Sequence, residues 1–164
     1  LSSDRDAKKR DLENKQAATM RSSGNYTNIG PSSGTGGGYP AIWANSPQDS
    51  LVDNWGLYNR ECVSYTAWKV ASTGRYVPHF SGAGNANQWP STTARHGIAN
   101  GSTPKAGSVA IDMSGYYGHA MYVEAVNSDG TITVSDYNNN ADGLGWGRYH
   151  YYSRSSAGLI YIYF

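Results

Sequence analysis

After Pro104 the spacing of apolar residues changes, and the change restricts the chain to one class of fold. Before it, Val63, Ala67, Val70 and Ala71 recur at helical spacing over residues 61–73, and Gly74 is a natural stop. A shorter helix fits residues 86–96, closed by Gly97, provided that Pro90 falls in its first turn. After Pro104 the period is two. GSVAI (107–111), HAMYVEAV (119–126), TITVSD (131–136), GRYHYY (147–152) and LIYIYF (159–164) read as strands. Asn127, Ser128, Asp129 and Gly130 mark a turn between the second and third of these. Helices followed by an antiparallel sheet of about five to six strands predict an α+β fold.

The chain before this region divides in two. Residues 1–21 are rich in helix formers and lack Gly and Pro, but their large apolar residues are few. So polar a helix is marginal alone, and the segment reads as the end of a longer helical or coiled-coil region or as a disordered tail. Lys8, Lys9 and Arg10, interleaved with acids, read as a solvated helix face. Residues 22–38 form a Gly/Ser/Pro-rich linker, which starts the folded domain near Tyr39 and runs it over residues 39–164.

Composition removes several function classes. Charged residues make up 15% of the chain, net charge is +1 and mean hydropathy is −0.59. No run approaches the roughly 18 apolar residues of a membrane span, and no basic footprint for nucleic acid is present. The histidines at 79, 96, 119 and 150 lack HExxH spacing, which argues against a zinc hydrolase. Asp49, Asp53 and Asn54 lack the alternating acids of a calcium loop and read as caps or turns. No metal or other cofactor is expected.

The single cysteine, Cys62, stands where the helical pattern begins. It cannot form an internal disulfide. Alone it reads as a buried packing residue, since free Cys is common in cores, or as a nucleophile. The strand pattern supplies possible partners. If Val126 faces Thr131 across the turn, opposed residues sum to 257, and Met121 lies opposite Asp136 while His119 lies opposite Asn138. His119, Met121, Val123 and Ala125 then share a face with Ile132, Val134, Asp136 and Asn138. The other face, with Tyr122, Glu124, Thr131, Thr133 and Ser135, is mostly polar, so the first is expected to lie under the helix. Cys62 at the helix start would then meet His119, with Asp136 or Asn138 orienting the imidazole. Helix-terminal N–H groups favour a thiolate there. The convergence of four residues points to catalysis where each alone has a bland explanation.

The motifs WGLYNRECVSYTAW (55–68), GNANQW (84–89), PKAGSVA (104–110), GHAMYVEAV (118–126) and SDYNNN (135–140) occur in this order. Together they resemble the CHAP family, the cysteine, histidine-dependent amidohydrolases/peptidases. The resemblance covers about residues 39–164. It implies a papain-like α+β fold and cleavage of peptidoglycan, as an N-acetylmuramoyl-L-alanine amidase or as an endopeptidase of stem peptide or cross-bridge. It makes Cys62 the nucleophile and His119 the general base, and maps the third position onto Asp136, where the family usually has Glu, and an Asn onto Asn138. No glutamine lies a few residues before Cys62 to serve the oxyanion, so the Cys62 N–H and a second donor, Tyr58 or Asn59, are expected to do so. Tyr58, Asn85, Trp89 and Tyr117 are the expected groove lining. The resemblance also implies a secreted, wall-associated protein, restrained by an upstream coiled coil until a membrane division complex releases it. The competing reading is a non-catalytic wall-binding module that holds glycan on its tyrosines.

Overall fold

The computed structural model describes residues 7–12, 14–15, 26–30 and 36–164. Its centre is one antiparallel sheet of seven strands, so the fold is α+β, with more strands than the pattern suggested. In chain order these are β1 (Thr27–Asn28), β2 (Asn100–Gly101), β3 (Val109–Asp112), β4 (His119–Val126), β5 (Thr131–Tyr137), β6 (Tyr149–Ser155) and β7 (Ile160–Ile162). Their order across the sheet is β1-β6-β5-β4-β3-β7-β2. The five expected strands are present. The additions are the two-residue edges β1 and β2, too short to show a period.

The expected linker therefore has structure within its described part. β1 pairs with β6, and Tyr26 lies against the Tyr152 ring at 4.4 Å. Gly36 and Gly37 run so close to Tyr149 that a Cβ on either would clash with its ring. Residues 7–12 and 14–15 are helical. The remaining residues of the expected tail and linker lie outside the described ones.

Within residues 36–164 the α-helices are α1 (Ala41–Ala44), α2 (Cys62–Ser72) and α3 (Trp89–Ala94). Pro90 sits in the first turn of α3, where a missing N–H costs nothing, and a 3₁₀ turn at Ala86–Gln88 leads into it. α2 is capped by Thr73 and followed by Gly74, whose φ of 88° is the left-handed conformation open to glycine.

The side of the sheet that α2 covers differs from expectation. Ala67 and Val70 of α2 pack with Ala120, Tyr122, Val109, Ile111 and Ile162. Met121, Val123, Ile132 and Val134 form a separate core with Ala110, Tyr152 and Tyr161. The face that looks polar in sequence can lie under the helix because its polar groups are paired. The Tyr65 hydroxyl donates to Ser135 Oγ at 2.8 Å, Ser135 donates to Glu124 at 2.8 Å, and Lys69 lies 3.7 Å from Glu124. Ala120 leaves room for α2, and Tyr122 supplies apolar area.

The hairpin register is also corrected at one end. Near the turn Val126 pairs with Ile132 and Ala125 with Thr133, one residue off the expected sum. A β-bulge between Val123 and Ala125 leaves Glu124 as the extra residue. Beyond it Val123 pairs with Val134 and Tyr122 with Ser135, as the sum of 257 requires. The bulge thus keeps Asp136 on the face of His119 and Met121.

Candidate active site

Cys62 is the first residue of α2, and the segment before it is held rigidly. Asn59 is fully buried. Its carbonyl oxygen accepts from the Leu51 N–H, and its amide donates to the carbonyls of Trp43 and Pro47. That amide is committed to the fold, which removes Asn59 as an oxyanion donor. Arg60 has φ 63° and sends its guanidinium to the carbonyl of Gly147 at 2.9 and 3.1 Å. Glu61 is the extended N-cap residue. The first internal helix bond runs from the Tyr65 N–H to Glu61, so the Cys62 N–H belongs to the unpaired first turn. Asp53 closes a turn by accepting from the N–H groups of Trp55 and Leu57. Burial pushes its carboxyl up, only partly offset by its hydrogen bonds.

His119 is the first residue of β4, so it and Cys62 open their elements at the same end of the layer. This is why the two meet although α2 covers the opposite face from the one expected. Gly118 precedes it with φ 69°, and a Cβ there would come within 2.7 Å of the Asn87 nitrogen. Asn87 donates its N–H to the Tyr117 carbonyl at 3.1 Å and its side-chain amide to the Tyr116 carbonyl at 2.9 Å. The loop before His119 is thereby tied to the 3₁₀ turn. Asn87 was within GNANQW, but its role was invisible there.

His119 Nε2 lies 2.6 Å from Asp136 Oδ2. With Nε2 so engaged, Nδ1 is left to the Cys62 thiol, which lines the same groove and whose charge acts on the imidazole. Of the two candidate orienters, Asp136 holds the imidazole. Asn138 instead donates to Glu61 Oε1 at 2.7 Å and accepts from the Gly147 N–H at 3.0 Å. Asp136 is fully buried and receives three more donors: Tyr152 hydroxyl at 2.7 Å, His150 Nδ1 at 3.2 Å and Asn139 at 3.3 Å. Glu61, Asn139 and His150 were not singled out for this site from sequence. His150 alternates with tyrosines in GRYHYY and shows its role only once β6 is set beside β5.

The charges follow from these contacts. Burial alone would lower the His119 pKa, but the charges of Cys62 and of Asp136, with the hydrogen bond to Asp136, raise it well above 6.5. Burial alone would raise the Asp136 pKa, but His119 and then His150 bring it well below the usual carboxylate range.

A groove of about 470 Å³ opens over these residues. Cys62, His119 and Asn138 line it, with Tyr58, Asn85 and Tyr117 of the expected lining. Trp89 does not. It is fully buried, stacked on Phe80 at 4.5 Å, and its indole donates to the Gly84 carbonyl at 2.9 Å. Lys9 and Arg10 are not a solvated face either. Lys9 reaches into the groove, with Glu61 Oε2 at 2.9 Å and Asp49 at 3.3 Å, and Arg10 lies over Trp146 at 4.9 Å. Among the described residues no group of three or more His, Cys, Asp or Glu could hold a metal ion.

The model of the CHAP domain matches residues 52–138, more than half of the chain. The chain belongs to the CHAP family. Over 55 residues it is 47% identical to the staphylococcal secretory antigen ssaA2 of Staphylococcus aureus (strain NCTC 8325 / PS 47), which covers 34% of this chain and 21% of that protein. The secretory antigen SsaA of the same strain is 46% identical over 55 residues, covering 34% of this chain and 22% of that one. The match thus spans about a fifth of the length of these curated relatives. Among solved structures, an N-acetylmuramoyl-L-alanine amidase from Staphylococcus aureus superposes with a TM-score of 0.58 at 24% identity, over 70% of this chain and 33% of that one. The likeness is one of fold.

Proposed function

We propose that this CHAP domain is a peptidoglycan hydrolase that cleaves an amide bond of the cell wall through Cys62. The observation that supports this most is the line Asp136–His119–Cys62 at the floor of an open groove. A fully buried carboxylate holding the far nitrogen of an imidazole, with a thiol at the near one, is the arrangement that nucleophilic amide cleavage requires. The secretory names of the matched relatives and the amidase fold support the cell wall as substrate and secretion as the destination.

In the proposed reaction His119 takes the thiol proton, and Cys62 sulfur attacks the amide carbonyl. The tetrahedral oxyanion meets the Cys62 N–H, unpaired at the helix start, and Tyr58 on the groove wall is the candidate second donor. The C–N bond breaks as His119 gives its proton to the leaving amine, and a thioester remains on Cys62. Water attacks the thioester with His119 as base and frees the carboxylate product. Asp136 keeps the imidazole in one orientation and stabilises its charged form.

Of the tyrosines open to a glycan-holding role, Tyr152 is a core residue, and Tyr58 and Tyr117 line the same groove as Cys62 and His119, which favours a catalytic groove over a separate binding surface. The deciding experiment is digestion of purified peptidoglycan by the wild type and by Cys62→Ala, with mass spectrometry of the soluble fragments. The wild type is expected to release fragments whose new ends identify the bond, and the variant none while remaining folded. Release by Cys62→Ala would end the proposal.

A further inference from the structure

We propose that His150 is a positioning residue for this site: its Nδ1–H holds the Asp136 carboxylate that in turn holds His119. The proposal rests on the reading of the groove as a cysteine hydrolase site, in which His150 takes no direct part. His150 on β6 and Asp136 on β5 are directly opposed in the sheet, and both are fully buried. The two carboxylate oxygens are served differently. Oδ2 takes His119, Tyr152 and Asn139, whereas Oδ1 takes His150 at 3.2 Å. A carboxylate only accepts, so the Nδ1 that faces it carries the proton. Without this donor Oδ1 would be an unpaired anionic oxygen away from water, and the carboxylate would turn or take up a proton to escape that cost. Either change loosens its grip on His119.

The surroundings of the ring supply no substitute. Its Nε2 faces Asp142 Oδ2 at 3.2 Å, but neither atom is in hydrogen-bond geometry. Tyr26, brought by β1, stands edge-on to the ring at 6.1 Å. Its hydroxyl is kept protonated by burial and by the charges of Asp142 and Asp136. Tyr152, on the same strand, is already spent on Oδ2. The groups facing His150 are thus two carboxylates and two neutral phenols, and the ring is the donor to Oδ1.

Three variants separate positioning from bulk. His150→Asn keeps an N–H near the position of Nδ1, His150→Gln keeps one near Nε2, and His150→Phe keeps a ring with no donor. The first readout needs no wall substrate: the rate of Cys62 alkylation by iodoacetamide at mildly acidic pH. His150→Asn is expected to stay within about threefold of the wild type, and His150→Gln and His150→Phe to fall at least about tenfold. On purified walls the same ranking is expected in kcat, with KM within about twofold, and with the acid limb of the pH profile moved up in the Gln and Phe variants. Equal alkylation in all variants and wild type, or Gln equal to or better than Asn, overturns the proposal. If His150→Phe fails to fold, the near-isosteric Asn and Gln pair decides alone. If the wild type releases nothing from walls, the hydrolase reading fails, and the alkylation ranking still tests His150.

Discussion

The side-chain amide of Asn138 donates to Glu61, the residue before Cys62, at 2.7 Å, and not to the imidazole. Asn138 stands at φ 60°, and its carbonyl oxygen takes the Gly147 N–H at 3.0 Å. It therefore joins the entrance of α2 to the loop between β5 and β6. Asp136, two residues earlier, makes the 2.6 Å bond to His119. Two polar residues that look equivalent in sequence thus have separable duties.

Their variants should separate in the same way. Asp136→Asn is expected to lower kcat by about 10²–10⁴-fold with little change in KM, because the oriented, stabilised imidazolium is lost. Asn138→Ala is expected to cost about 1–3 kcal/mol of stability, because it removes one hydrogen bond from the Glu61 carboxylate and one from the buried Gly147 N–H. Urea denaturation and fragment-release kinetics on both variants check this. The opposite ranking in kcat would return the orienting role to Asn138.

The diagonal from His119 to Asp136 was legible because side chains on strands alternate strictly, and a bulge at Glu124 restores the register that a simple turn predicts. The face under α2 was not legible. Polarity counted along β4 and β5 cannot show that Ser135 and Glu124 find Tyr65 and Lys69 on the helix. β1 was hidden because two residues carry no period. Asn59 read as an oxyanion donor and Trp89 as a groove residue because an amide and an indole suit a ligand as well as a fold. Only their partners, the carbonyls of Trp43, Pro47 and Gly84, tell these apart.

The pair His119–Asp136 should stabilise the fold within a defined pH window. The raised His119 pKa contributes stability that is full below about 6.5 and is lost as pH rises through the folded value. The lowered Asp136 pKa contributes stability that is full above about 3.9 and is lost as pH falls through the folded value. Both are complete only between these limits. The stability cost of Asp136→Asn, from urea curves, is therefore expected to be larger at about pH 5.5 than at about pH 8.5. A cost that grows with pH would contradict the assigned ion pair.

Gly118 tests how finely His119 is set. At φ 69° any side chain is strained, and the new Cβ would meet the Asn87 nitrogen at 2.7 Å and the Asp112 carbonyl at 2.9 Å. Both neighbours are backbone atoms, so the loop must move and carry His119 with it. Gly118→Ala is expected to lower kcat by about 10²-fold, the order of loss that an ångström of misplacement brings. Its melting temperature should fall by only a few degrees, for a cost of about 1–2 kcal/mol. Unchanged kcat would show that the loop absorbs the strain without moving the imidazole.

Trp89 gives the sharpest contrast between lining a groove and supporting it. Its ring is fully buried, stacked on Phe80 at 4.5 Å and edge-on to Phe164 at 5.9 Å. Trp89→Ala is expected to cost about 3–5 kcal/mol, since it opens a cavity in the core shared by α2 and β4. Trp89→Phe keeps most of the packing but leaves the buried Gly84 carbonyl without its indole donor, a loss of about 1–3 kcal/mol. Where either variant is folded, KM for soluble wall fragments should stay within about twofold of the wild type, because the indole lies behind Gly84 and does not itself line the groove. Tyr117→Ala removes a side chain from the groove wall itself and should raise KM with little loss of stability. A rise in KM for Trp89→Phe equal to that of Tyr117→Ala would restore Trp89 to the binding surface.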